Sequence, residues 1–345
     1  MSEGAMLRRT VIVLLISLAL GFGGLYLVVG EAVFRPETYR VRNPDVFVMI
    51  LILVSFLAKW LSPAVRVGLL CRGQKIPVTY RSALLVHLVA MFVAALAPQN
   101  TGFGPATVAA LRRLGVPVGR GIGVSVQIFL LDVVFFAWSV PLGVGYLDLS
   151  NALELPRGAG VAAFATACLA LLAAAMLSRR PQLVVRLILA VARWRFMARF
   201  ASGLRRIARD YYESALDFLR MPFSHWLALH LATAASWLGG FVLLWALLRL
   251  YGVELGLLAT LAILSSLTLV SHFVPTPGGS GFVEAAVGLG IGASPGGGAA
   301  AALLVWRLAS FYIVFLLGPL AGWLLYLSHP VTATPAAADE RRAPL

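Results

Sequence analysis

Glu284 and Arg307 both stand inside apolar stretches, 23 positions apart, and His272 precedes the carboxylate by 12. An arginine deep in an apolar run has no interface to reach, so it needs a carboxylate, a carbonyl dipole or an anionic ligand. Asp132 raises the matching demand in an earlier run. Just before Glu284 comes Pro275-Thr276-Pro277-Gly278-Gly279-Ser280-Gly281. No helix crosses it intact, because the prolines remove donors and the glycines permit backbone angles that other residues avoid. A second break, Pro98-Gln99-Asn100-Thr101-Gly102-Phe103-Gly104-Pro105, lies earlier in the chain. At membrane depth, broken backbone survives only inside protein or beside a cavity, and an ionisable group next to it marks a functional site. Helix pieces that start at such breaks offer free N–H groups and a positive dipole end to anions. The candidate substrate-binding residues are therefore Arg307, Glu284, Pro275, Pro277, Gly278, Gly279, Gly281, His272 and Asp132, with Asn100, Gly102 and Gly104 at the first break.

Other chemistries lack their parts. Ser280 has neither a base nor an orienting partner for nucleophilic work. The glycine run follows no strand, as a dinucleotide loop would require, and no His/Asp/Glu cluster has metal-ligand spacing. No catalytic residue, cofactor or metal is expected. Two readings of Glu284 and Arg307 stand side by side: an ion pair that fixes the break against the last span, or a polar path in which Arg307 meets a phosphate. His272 and Asp132 divide the same way between core hydrogen bonding and the path. His87, His225 and His230 read as structural or interfacial.

The elements that must position these groups are membrane helices. The 345-residue chain is 60% hydrophobic and 12% charged, with several apolar runs near the ~20 residues that span a bilayer. A soluble fold would expose far too much apolar surface. The net charge of +14 falls between the apolar runs, which points to membrane orientation and anionic lipid and away from nucleic acid. Cys71 falls in a basic loop and Cys168 in an apolar run, so no disulfide framework is expected. The run at 10–30 is longer than a signal-peptide core and reads as a retained anchor helix.

The layout is an all-α polytopic membrane domain over 1–328, with about six full spans and two re-entrant broken units, followed by a disordered tail at 329–345. The breaks overlay without a gap at an offset of 177, which sets Pro98 on Pro275, Gly102 on Gly279, Gly104 on Gly281 and Gly115 on Gly292. Repeat 1 covers about 81–147 and repeat 2 about 256–328. The arginine-rich segment 178–222 carries apolar residues at helical spacing and reads as a cytoplasmic helical segment, packed under the membrane domain or holding anionic headgroups. Keeping it inside requires the first broken unit to enter and leave from the cytoplasm and the second from outside, with both termini cytoplasmic. Inverted repeats whose broken helices meet near the midplane are a transporter architecture.

The motif Pro-Thr-Pro-Gly-Gly-x-Gly-x-x-Glu-Ala-Ala, followed by an arginine in the next span, resembles the transmembrane flippase region of lysylphosphatidylglycerol synthases and their standalone relatives. The likeness is strongest over 257–326 and weaker over 81–136. Pro275, Pro277, Gly278, Gly279, Gly281 and Glu284 match the second motif, and Arg307 matches the arginine after it. At the first motif Gly104 is followed by Pro105, where the family often has a Gly-Glu pair, and Asp132 is kept without its Glu-Arg companions. The resemblance implies an inner-membrane protein that moves a phospholipid or lipid-linked headgroup, an anionic one, between leaflets, and that lacks the aminoacyl-transfer domain. A homo-oligomer or a partner lipid-synthesis enzyme is compatible with it. The alternatives are a membrane transferase acting on a lipid-linked substrate and a non-catalytic membrane partner of a lipid-modifying enzyme.

Overall fold

The computed structural model describes residues 12, 15–16, 19–24, 26–27, 30–42, 44–149, 159–192, 201–272, 274–291 and 298–328. The tail at 329–345 and residues 150–158 lie outside the described residues. Those of the anchor run that are described are helical through position 27. The chain then makes two short 3-10 turns, Gly30–Phe34 and Pro36–Tyr39, and continues as twelve α-helices. These are α1 (Val46–Gly73), α2 (Tyr80–Leu96), α3 (Phe103–Arg113), α4 (Val118–Leu149), α5 (Ala159–Arg179) and α6 (Gln182–Ala192). After them come α7 (Ala201–Leu219), α8 (Phe223–Leu250), α9 (Leu257–Ser271), α10 (Phe282–Gly290), α11 (Ala299–Arg307) and α12 (Val314–Ser328). Among the described residues there is no strand beyond one isolated bridge. The fold is an all-α membrane domain.

Among the described residues, four helical stretches are long and apolar enough to cross a membrane: Val46–Gly73, Val118–Leu147, Phe223–Leu250 and Ala299–Ser328. The last joins α11 to α12 through a π-turn at Leu308–Tyr312, immediately after Arg307. The two helices that lead into the breaks, α2 and α9, have only 17 and 15 residues. α2 stops because Ala97, preceding Pro98, is forced out of the helical region, with φ −103° and ψ 142°. α3 stops at Gly115, whose φ of +83° suits glycine, and the Val116 N–H returns to the Leu111 carbonyl. One expectation is corrected here. Cys71 is not in a loop. It is a fully buried residue of α1, and the chain turns only after Gly73, where Lys75 adopts φ +57° and the Ile76 N–H closes on the Cys71 carbonyl.

Close helix contact comes from glycine. A β-carbon on Gly239 would lie 2.8 Å from the Lys59 nitrogen and 2.9 Å from the Ser55 carbonyl oxygen, so α8 touches the backbone of α1 there. Gly318 lets α12 meet Phe92 of α2, and Gly143 lets α4 meet Ala262 of α9. One apolar core gathers α8, α9, α10 and α11 around Phe135 and Phe136; another gathers α1, α2, α3, α4 and Phe218 of α7. Helix α7 is fastened by a closed polar ring. Gln74 Nε2 donates to Gln127 Oε1 at 2.7 Å, Gln127 Nε2 to the Ser214 carbonyl at 3.2 Å, and Ser214 Oγ to Gln74 Oε1 at 2.6 Å. Gln74, Gln127 and Ser214 are all buried, and each amide has found a partner, as buried polar groups must. On the rim Arg120 reaches Glu213 and Asp217 of α7 at 3.7 and 3.8 Å.

Candidate functional site

The two breaks meet. Pro98 and Pro277 form an antiparallel bridge. Neither proline has an N–H to give, so the donors are those of flanking residues. Gly278, Gly279 and Gly281 of the second break have φ of +57°, +69° and +85°, which glycine adopts without strain. In the first break Gln99 and Asn100 adopt φ +54° and +55°. Gly102 lies against the Val93 carbonyl, where a β-carbon would come within 2.6 Å. Gly104 faces only Ser125 Oγ of α4, at 3.1 Å from where its β-carbon would be.

Glu284 opens α10 and holds two donors. Its Oε2 accepts from the Gly281 N–H at 2.8 Å, and its Oε1 accepts from Arg307 Nε at 2.6 Å. Both side chains are buried, Glu284 3% and Arg307 6% exposed. The free N-terminal donor of α10, expected as an anion site, is thus filled by the chain's own carboxylate. Arg307 is further enclosed by the Phe311 ring at 4.4 Å, Tyr312 at 5.8 Å and Trp306 at 6.0 Å. Its Nη2 is buried with no hydrogen-bond partner among the described residues. A cavity of about 20 Å³ between Gly21, Glu284, Arg307 and Tyr312 has room for a single water.

Asp132, half-buried, pairs with the buried Arg66. Arg66 Nη1 donates to its Oδ1 at 2.5 Å, and Trp237 Nε1 donates to the same oxygen at 2.9 Å. The Trp237 ring in turn has the His272 ring at 6.2 Å and Lys59 Nζ at 5.1 Å from its centroid. His272 Nδ1 is hydrogen-bonded to the Thr268 carbonyl at 2.7 Å. So Asp132 and His272, from different halves of the chain, share one tryptophan. The two ion-paired regions are linked through α8, because Trp306 Nε1 donates to the Gly240 carbonyl at 2.8 Å, and the stem of Lys59 runs beside Gly240. Pro275 is exposed at the outer edge of the break. Asn100, Gly102 and Gly104 make no hydrogen bond to either ion pair among the described residues.

With this geometry in hand, comparison with known proteins is informative. The family model described as lysylphosphatidylglycerol synthase TM region matches residues 11–318. The chain belongs to that family. No curated protein matches it. Membership, with the four long apolar helices, makes this a multi-pass membrane protein tied to lipid modification or translocation.

In this lysylphosphatidylglycerol synthase TM-region protein, several residues around the site were not singled out from the sequence. Trp237 has no motif around it; only its hydrogen bond to Asp132 reveals it. Lys59 and Arg66, both inside α1, face other helices. Gly21 and Gly24 of the anchor run pack on the second break. A β-carbon on Gly24 would strike Gly281, and one on Gly21 would strike the Tyr312 hydroxyl. Small residues inside an apolar run were the available signal, since glycine lets helices approach closely in membranes.

Proposed function

We propose that the protein is a lipid translocase of the inner (plasma) membrane, moving a phospholipid or lipid-linked headgroup between leaflets. In this reading the two broken units are re-entrant and of opposite topology, the termini and the arginine-rich 178–222 segment are cytoplasmic, and residues 1–328 act as one membrane domain. The observation that carries the proposal is the meeting of the two breaks at Pro98 and Pro277, with buried charged groups on the helices around them. A headgroup crossing hydrocarbon loses hydration worth several kcal/mol per charge (roughly, after relaxation). Fixed cations beside a break in the helices can offset that loss while the acyl chains stay in lipid. Glu284 orients Arg307, and Nη2 is the edge of the guanidinium left for a phosphate oxygen.

The test is leaflet-resolved lipid movement in proteoliposomes containing the wild type, R307A or E284A. Movement by the wild type that is lost in both variants, with folding retained, supports the proposal. Equal movement in all three makes the pair structural. Absence of movement in the wild type across anionic, zwitterionic and lipid-linked sugar substrates overturns the translocase reading.

A further inference from the structure

Among the described residues, the middle of the apolar helices holds three basic side chains, Lys59, Arg66 and Arg307, and two carboxylates, Asp132 and Glu284. Arg66 is taken by Asp132 and Arg307 by Glu284. Among the described residues no carboxylate lies within 4 Å of Lys59. Its neighbour is the face of Trp237, whose N–H is turned away to Asp132. Electrostatically Lys59 lies within reach of Asp132, Arg66 and Arg307 together, so it belongs to the same interior group. Summed over Lys59, Arg66, Arg307, Asp132 and Glu284, that group carries one positive charge in excess.

Position rules out the bland role for a membrane lysine. Lys59 is the fourteenth of 28 residues of α1, about 20 Å from either end at 1.5 Å per residue. A four-carbon stem cannot reach an interface from there, so snorkelling is unavailable. Nor is the ammonium aimed at lipid, because Gly239 and Gly240 bring α8 against its backbone and stem. An interior cation with no carboxylate within ion-pair distance among the described residues, seated over an aromatic face, is poised for an anion that is not part of the chain.

We infer that Lys59 is the anion-selecting residue of this protein, and that its ligand is a phosphodiester headgroup carrying one net negative charge. The assignment rests on the translocation reading for the route the headgroup takes, and on the charge balance for the binding itself. A zwitterionic headgroup brings its own cation into the group and meets an uncompensated excess. A singly anionic one closes the balance. Arg66, already paired, positions the surroundings, and Arg307 keeps its Nη2 edge for a phosphate oxygen while Lys59 supplies the unmatched charge.

The experiment uses the full chain in nanodiscs of equal phosphatidylglycerol and phosphatidylcholine. Lipids retained on release from the disc are read by native mass spectrometry for the wild type, K59R and K59Q, with and without excess inorganic phosphate. Leaflet-resolved transport is measured in parallel. The wild type and K59R are expected to retain phosphatidylglycerol over phosphatidylcholine by roughly tenfold, the order of one charge interaction largely screened by the headgroup region. K59Q is expected to retain the two equally while still unfolding at the wild-type temperature. Undiminished preference in K59Q overturns the inference, and so does loss of preference in K59R if that variant folds as the wild type does. A preference abolished by inorganic phosphate assigns the site to free anions and overturns the lipid assignment. If no variant moves lipid, translocation fails, yet the binding preference still decides the role of Lys59.

Discussion

Gly278 lies flat against the ring of Phe311. A β-carbon at that glycine would fall inside the van der Waals surface of the ring edge, and the same ring covers the guanidinium of Arg307 at 4.4 Å. The second break and the buried arginine are therefore held to one aromatic plate.

That contact separates glycines that share a motif role in the sequence. Gly278→Ala meets both a positive φ and the Phe311 ring, and it should lower stability by about 2–4 kcal/mol. Gly104→Ala meets only Ser125 Oγ and sits in the first turn of α3, so it should be neutral or gain up to about 1 kcal/mol. Thermal unfolding of the purified variants in detergent measures both.

Glu284→Gln isolates the counter-charge from the cap. A glutamine at this position can still accept from the Gly281 N–H, while Arg307 is left buried without its anion. A loss of roughly 3–5 kcal/mol is expected. The double variant E284Q/R307M should recover most of it, since an apolar side chain of similar length removes the stranded charge. The same unfolding measurement decides, and a double variant no more stable than E284Q would contradict the ion-pair account.

Gln127→Ala opens the polar ring that holds α7. The buried Gln74 amide and Ser214 then lose partners, each worth about 1–3 kcal/mol when stranded. Hydrogen exchange should quicken over Ala201–Leu219 and stay unchanged over Ala299–Ser328. Uniform quickening across the protein would contradict the local role.

Gly239→Leu should force α8 off α1, because the nearest atoms are backbone and cannot move aside. A loss of about 1–3 kcal/mol or more, with Trp237 fluorescence altered, is expected. Gly145→Ala is the control: nothing lies within 4 Å of its β-carbon position, and stability should not fall.

The breaks were legible because their chemistry is local. Proline before Gly278 and Gly279, or Ala97 before Pro98, ends a helix whatever surrounds it. The Glu284–Arg307 pair was legible too, since two buried opposite charges in neighbouring elements have few other partners. The Arg66–Asp132 bond was not. Its residues lie 66 positions apart on helices with no shared pattern. Cys71 was misread because Arg72, Gly73 and Lys75 have loop composition, although the helix continues to Gly73 under tertiary packing. The π-turn at Leu308–Tyr312 has no glycine or proline of its own to announce it.

The bridge between Pro98 and Pro277 also has a place in time. The two residues are 179 positions apart. At ~5–20 residues per second of synthesis, the first break exists for roughly 10–35 s before its partner has been made. It does not wait unpaired: the Pro98 carbonyl accepts from both the Thr101 N–H at 3.1 Å and Thr101 Oγ1 at 2.9 Å. The first break is thus a turn closed on itself, and the younger half of the molecule is assembled onto it.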